Sequence, residues 1–417
     1  MFPNPTDFIN DTYGVIFSRV LSWVPLFIPF FLMMIGWKLW VKHRNAEWLA
    51  TINWVLIEIR IPKDVYKTPL AMEMVLGNAF SQTGGVGTRY NRYWKGRLLV
   101  WFSLEIVSSE GDIHFYIRTP KQFRNLIESQ IYAQYPQAEI FEAEDYTLPI
   151  VADMYKNDWD IWGCEHQLKK PDAYPIKTYV DYGLDRPTTK QEEEAGLIDP
   201  ITSVLEWMGT MKKDEHIWFQ ILIRATKDSY TKPGSFWGDK EDWKDKAKRE
   251  IEKIKEKYEG GEDAVEALGK KLKMTRLEQE TITAIERSLD KPAFDVGIRT
   301  MYLAKKEAFR GEHITGLTGI LKSYNSNNLN GFRPSNMTDF DNPWDDISGR
   351  KKVEKKRSLL SAYVDRSYFY PPGSNTFYTL TAEELATIYH FPGRVSATPT
   401  FKRIESKKSE PPVNLPI

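Results

Sequence analysis

The 417-residue chain is poor in the residues that metal and redox chemistry depend on. It has one cysteine, Cys164, and only six histidines. A single cysteine excludes an internal disulfide and any multi-cysteine zinc site, and it fits a reducing cytoplasmic face. The histidines are scattered, and no HExxH pair occurs among them. The sequence therefore predicts neither a metal site nor a bound cofactor.

Catalytic motifs are also missing. The nearest approach to a phosphate-binding P-loop is Gly269-Lys270-Lys271, but Ala264 stands where the first glycine belongs and no Ser or Thr follows the lysines. No GxSxG nucleophile motif is present. The pair Glu165-His166 beside Cys164 is interpreted as the end of a strand. We therefore predict that the chain is not an enzyme.

Neither sign of charge is in excess, since 57 basic residues balance 57 acidic ones. A net charge of zero gives no general attraction to nucleic acid, and no acidic tail is present. Hydrophobic residues make up 41% of the chain, enough for sizeable cores. A chain of this length predicts about two or three domains.

One long apolar run is present. Residues 20–37 carry no charged side chain, and a basic cluster follows at residues 38–44. As a helix the run would extend roughly 27 Å, at ~1.5 Å per residue, close to the ~30 Å hydrocarbon layer of a bilayer. The sequence therefore predicts a transmembrane anchor over residues 1–45, with a cleaved signal peptide and a buried core helix as alternatives. The positive-inside rule then predicts a single-pass protein of the cell membrane, with its N-terminus outside and most of the chain cytoplasmic.

Residues 46–150 alternate between strand and helix patterns. Glu110-Gly111-Asp112 is predicted to form a hairpin turn between two of the strands. The predicted strands are 52–61, 97–107, 113–118 and 138–143, and the predicted helices are 68–80 and 120–135. This βαββαβ order is that of a ferredoxin-like unit.

The same order is predicted for residues 151–340. Its strand candidates are 160–168, 176–182, 215–225, 294–304 and 331–334, and its helices are 201–211 and 312–324. A helical insertion at about 227–291 is interpreted as a hairpin packed on itself or as a partner-binding arm, and Thr275 with Glu278 predicts a capping box there. Residues 341–417 are predicted to be an extended and helical C-terminal linker. The predicted fold class is α+β: one N-terminal transmembrane helix followed by two ferredoxin-like (βαββαβ) units, the second with the insertion.

A loop that begins at Gly84 is the best binding candidate in the sequence. Its glycines let the backbone approach a ligand closely, its cations suit phosphates and its aromatic rings suit stacking on bases. Anionic lipid headgroups are an equal alternative, and a flexible loop with solvated charges is the third interpretation. The candidate ligand-binding residues are Arg89, Tyr90, Arg92, Tyr93, Trp94, Lys95 and Arg97.

The C-terminal region carries a resemblance. Residues 380–393 read LTAEELATIYHFPG, and Thr398-Pro399 and the run PPVNLP at 411–416 follow. This series resembles the segment just upstream of the ATPase core in membrane-anchored coupling-type proteins of type IV secretion, the conjugative DNA-transfer proteins. In that family a RecA-like ATPase follows, whereas this chain stops at Ile417. The resemblance implies a separate subunit beside an ATPase, or the front end of a longer coupling protein.

Two functions are expected from these observations. The first is a non-catalytic, single-pass membrane component of a type IV secretion-like system, part of an oligomeric assembly, that docks a secretion-type ATPase or neighbouring subunits. Its candidate partner-docking residues are Leu385, Tyr389, Phe391 and Pro392. The alternative is a membrane-tethered module that binds anionic lipid or single-stranded nucleic acid through the loop at residues 89–97.

Overall fold

The structure is a computed structural model. It describes residues 5–62, 67–81, 87–154, 156–186, 199–226, 230–231, 240–259, 274–340, 342–370 and 375–392, with backbone alone at 5–27 and at positions 230, 231, 240, 241, 258, 259, 343 and 345. The chain divides into two compact units. The first comprises residues 1–53 and 84–99, and the second comprises residues 54–83 and 100–417.

The described part of the chain contains both helices and strands. The helices are α1 (Pro5–Ala50), α2 (Pro69–Phe80), α3 (Arg89–Tyr93), α4 (Arg124–Gln134), α5 (Thr147–Met154), α6 (Pro200–Met208), α7 (Trp243–Glu259), α8 (Arg276–Leu289), α9 (Glu312–Gly319), α10 (Arg350–Val364) and α11 (Ala382–Ile388). The strands are β1 (Trp54–Arg60), β2 (Phe102–Ser109), β3 (Asp112–Pro120), β4 (Glu139–Ala143), β5 (Trp159–Leu168), β6 (Glu215–Ala225), β7 (Tyr230–Thr231), β8 (Lys240–Glu241), β9 (Ala293–Lys305), β10 (Phe332–Ser335) and β11 (Tyr378–Thr381).

The first unit corrects the prediction about the membrane. Among the described residues, no helix has the length and apolar character needed to cross a bilayer. Residues 20–27 of the predicted span lie outside the described side chains. On this finding the predictions of a transmembrane anchor over residues 1–45 and of a single-pass location in the cell membrane are wrong.

The second unit is built on one antiparallel sheet. Nine described strands form it in the order β10-β5-β9-β6-β2-β3-β1-β4, with β11 paired to β9. At its centre β2 pairs with β6 from Phe102↔Ile223 to Ser109↔His216. The prediction of two ferredoxin-like units is wrong, because this pairing joins the strands of both predicted units in a single sheet.

One predicted strand of the second half is a turn instead. Residues 176–182 pair with no strand in the described sheet, because Thr178 and Asp181 close a local turn. The Thr178 backbone N–H donates to Asp181 Oδ2 at 2.9 Å, and the Asp181 N–H donates to the Thr178 carbonyl at 3.0 Å. Short polar side chains that bond to nearby backbone favour turns over strands in this way.

The hairpin turn and the capping boxes follow their sequence signals. Glu110 and Gly111 adopt positive φ values of 54° and 93° between β2 and β3, as the predicted turn requires. Thr275 with Glu278 and Thr381 with Glu384 form complete capping boxes at the starts of α8 and α11. The predicted hairpin turn and the predicted capping box of Thr275 with Glu278 are confirmed, because each depends only on residues within one turn of one another.

Both faces of the sheet are covered. On β3, Phe115 packs against Phe391, which follows α11, while the next residue, Tyr116, belongs to the opposite cluster with Leu359 and Tyr363 of α10. Successive side chains of a strand point to opposite faces, so one strand supplies both layers. In the described part of the insertion, α7 and α8 pack on each other through an apolar stripe, as the hairpin interpretation predicts. That stripe consists of Trp243, Ala247, Ile251, Ile282 and Ile285.

Candidate functional site

The candidate binding loop forms a short helix that folds against α1. Thr88 begins α3 by accepting a hydrogen bond from the Asn91 N–H at 3.4 Å. The chain then reverses at Gly96, which has φ +65° and lies where any Cβ would overlap the carbonyl of Arg44. Only glycine satisfies both conditions, so Gly96 fixes how closely the loop approaches α1.

Two of the predicted stacking residues are engaged with α1. The ring of Trp37 lies 5.8 Å from the rings of both Tyr93 and Trp94, measured between centroids. Arg44 Nε donates to the Trp94 carbonyl at 2.8 Å. Aromatic pairs at such distances contribute beyond their area burial, so Tyr93 and Trp94 serve to hold the loop in place.

The remaining candidates of the loop face outward. The Tyr90 side chain is 57% exposed, and the Lys95 ammonium lies 5.6 Å from the centre of the Tyr90 ring. No carboxylate of the described residues forms an ion pair with the loop's four exposed cations, Arg89, Arg92, Lys95 and Arg97. That this loop binds an anionic ligand stays a prediction.

The most unusual surface of the first unit is the apolar segment of α1, residues 28–40. Ten large apolar side chains in this segment are exposed, and their exposed fractions range from 38% for Ile35 to 77% for Met33. Folded proteins seldom leave a contiguous apolar surface uncovered unless another molecule covers it. The exposed members are Ile28, Phe30, Phe31, Leu32, Met33, Met34, Ile35, Trp37, Leu39 and Trp40.

The four predicted partner-docking residues are enclosed. Leu385 and Tyr389 have no exposed surface, Phe391 is 3% exposed and Pro392 is also buried. The Tyr389 hydroxyl donates to the Tyr116 carbonyl at 3.1 Å, and the Phe391 ring packs edge-on against Phe115. In this structure these side chains attach α11 to the sheet. The apolar spacing of the motif is thus that of a core helix.

Around α11 the structure places ionisable groups in the interior. Burial raises the pKa of Glu384 to about 7, against the three hydrogen bonds that its carboxylate accepts from the Thr381 N–H, the Thr381 hydroxyl and the Ile176 N–H. His390 contacts Asp199 at 2.8 Å. Burial alone would lower the pKa of His390, but the Asp199 carboxylate raises it on balance. The motif therefore carries an acid and a histidine whose pKa values are both raised, the first by burial and the second by the Asp199 carboxylate.

Cys164 and the neighbouring Glu165 and His166 are buried in the sheet. His166 Nε2 lies 2.9 Å from the Thr300 hydroxyl, and both are buried. Burial raises the pKa of the Cys164 thiol to about 12 and lowers the pKa of His166 to about 3, so neither is charged near neutral pH. Glu165 forms an ion pair with Arg299 at 3.0 Å. No group of three or more His, Cys, Asp or Glu side chains in the described residues is arranged to hold a metal ion.

Sequence reasoning missed the buried charge network of β2. Glu105 and Arg366 have no exposed surface, and Arg366 Nε donates to Glu105 Oε1 at 3.0 Å. Tyr146 and Gln220 also donate to this carboxylate, at 2.7 and 3.1 Å. The sequence signal was a glutamate between two apolar residues, in Leu104-Glu105-Ile106. Such a carboxylate is buried when both faces of the sheet are covered, and it then requires a charged or hydrogen-bonding partner.

A comparison with protein-family models places the chain. A family model described as "Domain of unknown function (DUF8128)" matches residues 41–403. No curated protein matches the chain.

Proposed function

Since the chain belongs to the DUF8128 family, a domain of unknown function, we propose its role from its own geometry: it is a non-catalytic assembly component that docks a partner protein on the apolar segment of α1. The observation that carries this proposal is the exposure of large apolar side chains over residues 28–40. The side chains are those of Phe, Met, Trp, Leu and Ile. Aromatic residues and Met are enriched in the cores of protein interfaces.

The partner that we propose is a secretion-type ATPase. The support is the resemblance of residues 380–392 to the segment that precedes the ATPase core in type IV coupling-type proteins. Residues 393–417, which carry the rest of that resemblance, lie outside the described residues. Because Leu385, Tyr389 and Phe391 are enclosed, we assign the docking contact to the apolar segment of α1. We propose that the C-terminal motif attaches α11 to the sheet.

Site-specific photocrosslinking in the cells that make the protein tests the docking surface. A photoreactive phenylalanine analogue replaces Phe31 or Met33, which are 58% and 77% exposed. The matched control replaces Trp344 of the second unit, which is 82% exposed. We expect an adduct at the first two positions, identified by mass spectrometry as a RecA-like ATPase, and none at position 344. Adducts with no ATPase, or equal adducts at all three positions, would contradict the proposal.

A double variant checks the same surface without a probe. Phe31→Ser with Met33→Ser removes two exposed apolar side chains, so the melting temperature should stay within a few degrees of wild type. Recovery of the ATPase with the purified protein should fall about tenfold or more, because large apolar residues at an interface centre carry much of the binding energy. Trp344→Ser should leave recovery unchanged. Unchanged recovery with the double variant would reject the apolar segment as the docking site.

A further inference from the structure

A cleft of about 600 Å³ opens in the second unit. One wall is the outer face of α8, another is the turn at residues 177–181, and the third is the loop at residues 326–329. Ligand sites of small molecules have volumes of ~300–1,000 Å³, so the cleft is large enough for a metabolite.

The walls of the cleft are fixed by hydrogen bonds. Lys170 Nζ donates to the carbonyls of Asn327 and Asn328 at 2.9 and 2.8 Å, which holds the third wall. Arg287 Nη2 donates to the Thr178 hydroxyl and to Asp181 Oδ1, both at 3.1 Å, which ties the turn to α8. A site that is already ordered loses little entropy when a ligand enters.

The charges that line the cleft do not cancel. Two carboxylates, Asp181 and Glu280, are paired with Arg287 at 3.1 Å and with Arg276 at 2.9 Å. The third cation, Lys177, places its ammonium 3.8 Å from the centre of the Tyr182 ring and has no carboxylate within ion-pair distance in the described part of the chain. The charges of the lining residues therefore sum to plus one, carried by Lys177, while Glu383 behind the lining also pairs with Arg287 at 3.1 Å.

Neutral hydrogen-bonding groups complete the lining. They are the hydroxyls of Thr281, Thr283 and Ser326 and the amides of Gln279 and Asn328. Only Ala284 and Leu329 are apolar. Hydroxyl and amide groups match the hydroxyls of a sugar, while lysine and arginine side chains are the usual donors to phosphate.

We propose that this cleft binds a small phosphate ester that carries sugar hydroxyls, as sugar phosphates and nucleoside monophosphates do. Lys177 meets the phosphate, with the guanidinium donors of Arg276 beside it. Gln279, Thr283 and Asn328 bind the hydroxyls. This site lies outside the apolar segment of α1 and does not depend on the docking proposal.

Calorimetric titration of the full-length protein tests the site with four probes: glucose 6-phosphate, adenosine monophosphate, inorganic phosphate and glucose. We expect saturable binding of at least one ester, weaker binding of inorganic phosphate and none of glucose. No binding of either ester, or binding of inorganic phosphate as tight as that of the esters, would overturn the proposal.

Two variants locate the binding. Lys177→Gln should weaken ester binding about tenfold or more, because it removes a hydrogen bond to a charged group. The matched control is Lys255→Gln on the exposed face of α7, which should bind as wild type does. The Lys177 side chain makes no hydrogen bond or ion pair within the described residues, and its backbone bond to the Tyr324 carbonyl is kept in the variant, so the fold should stay intact, as circular dichroism can verify. Equal binding by both variants would place the ester elsewhere.

Discussion

At the scale of single residues, Glu384 shows how a local signal and its surroundings act together. The capping box with Thr381 is readable in the sequence, and it forms. Its burial is not readable, because it arises from Ile176, more than 200 residues away, and from the sheet beneath α11. Burial raises the pKa of Glu384 to about 7 from the ordinary value of 4.5.

This raised pKa makes a prediction about stability and pH. A carboxyl whose folded-state pKa exceeds its unfolded value favours the folded state most at low pH, and this contribution is lost as pH rises from 4.5 to about 7. The size of the loss is about 3 kcal/mol. In Glu384→Gln the group no longer titrates. The free energy of unfolding of the wild type minus that of the variant, measured with urea, should therefore fall by that amount between acidic and slightly alkaline pH.

The second capping box supplies the control for this measurement. Glu278 caps α8 in the same way as Glu384 caps α11, but its side chain is 24% exposed. Glu278→Gln, measured over the same pH range, shows what loss of a capping-box charge does at a partly exposed position. A pH-independent difference for Glu384→Gln would show that burial does not control its ionisation.

At the scale of elements, the connection that follows α10 is held by buried charge. Arg366 bonds Glu105 of β2 and also donates to Asp145 Oδ1 at 3.0 Å, just before α5. Burial alone would raise the pKa of Glu105, but the Arg366 guanidinium lowers it on balance. One side chain thus joins α10, β2 and the start of α5.

Removing the Arg366 side chain should lower the free energy of unfolding by several kcal/mol. Arg366→Ala leaves Glu105 buried without its cation, which typically costs ~3–5 kcal/mol. Denaturant unfolding should show a loss of about this size, whereas Arg357→Ala, at an exposed position of α10, should stay within about 0.5 kcal/mol of wild type. If the two variants lose equal stability, the network does not hold these elements together.

The same scale shows what the sequence could and could not predict. Period-two and period-3.6 patterns located β1, α2, β3 and α8 to within a few residues, because those patterns arise within each element. The ion pair of Arg366 with Glu105 joins residues 261 positions apart, and no local pattern encodes it. The loop candidates Arg89, Arg92 and Lys95 were readable as exposed cations, whereas the cleft around Lys177 depends on three segments that meet only in the fold.

At the scale of the whole molecule, the pairing of β2 with β6 decides how the chain is organised. Alternating patterns specify strands but not which strand lies beside which, so two separate sheets were as compatible with the sequence as one. The eight-residue register between Phe102 and Ser109 is what makes the sheet continuous.

This continuity predicts the behaviour of an excised half. Residues 46–150 alone would leave β2 as an open edge, and Glu105 would lose Arg366 and Gln220. Open, apolar strand edges promote aggregation. We expect that fragment to aggregate or to lack dispersed amide signals in a proton–nitrogen NMR spectrum, while the full-length chain elutes as a folded species in size-exclusion chromatography. A monodisperse fragment with dispersed signals would contradict the single-sheet organisation.

The enclosed thiol has a practical consequence. Because Cys164 is fully buried and is the only cysteine of the chain, the native protein should be nearly inert to maleimide reagents. Any cysteine introduced at an exposed position can then carry a fluorophore or spin label without first removing Cys164. A pair of such positions would report distances by energy transfer or by pulsed electron spin resonance in an otherwise unmodified chain.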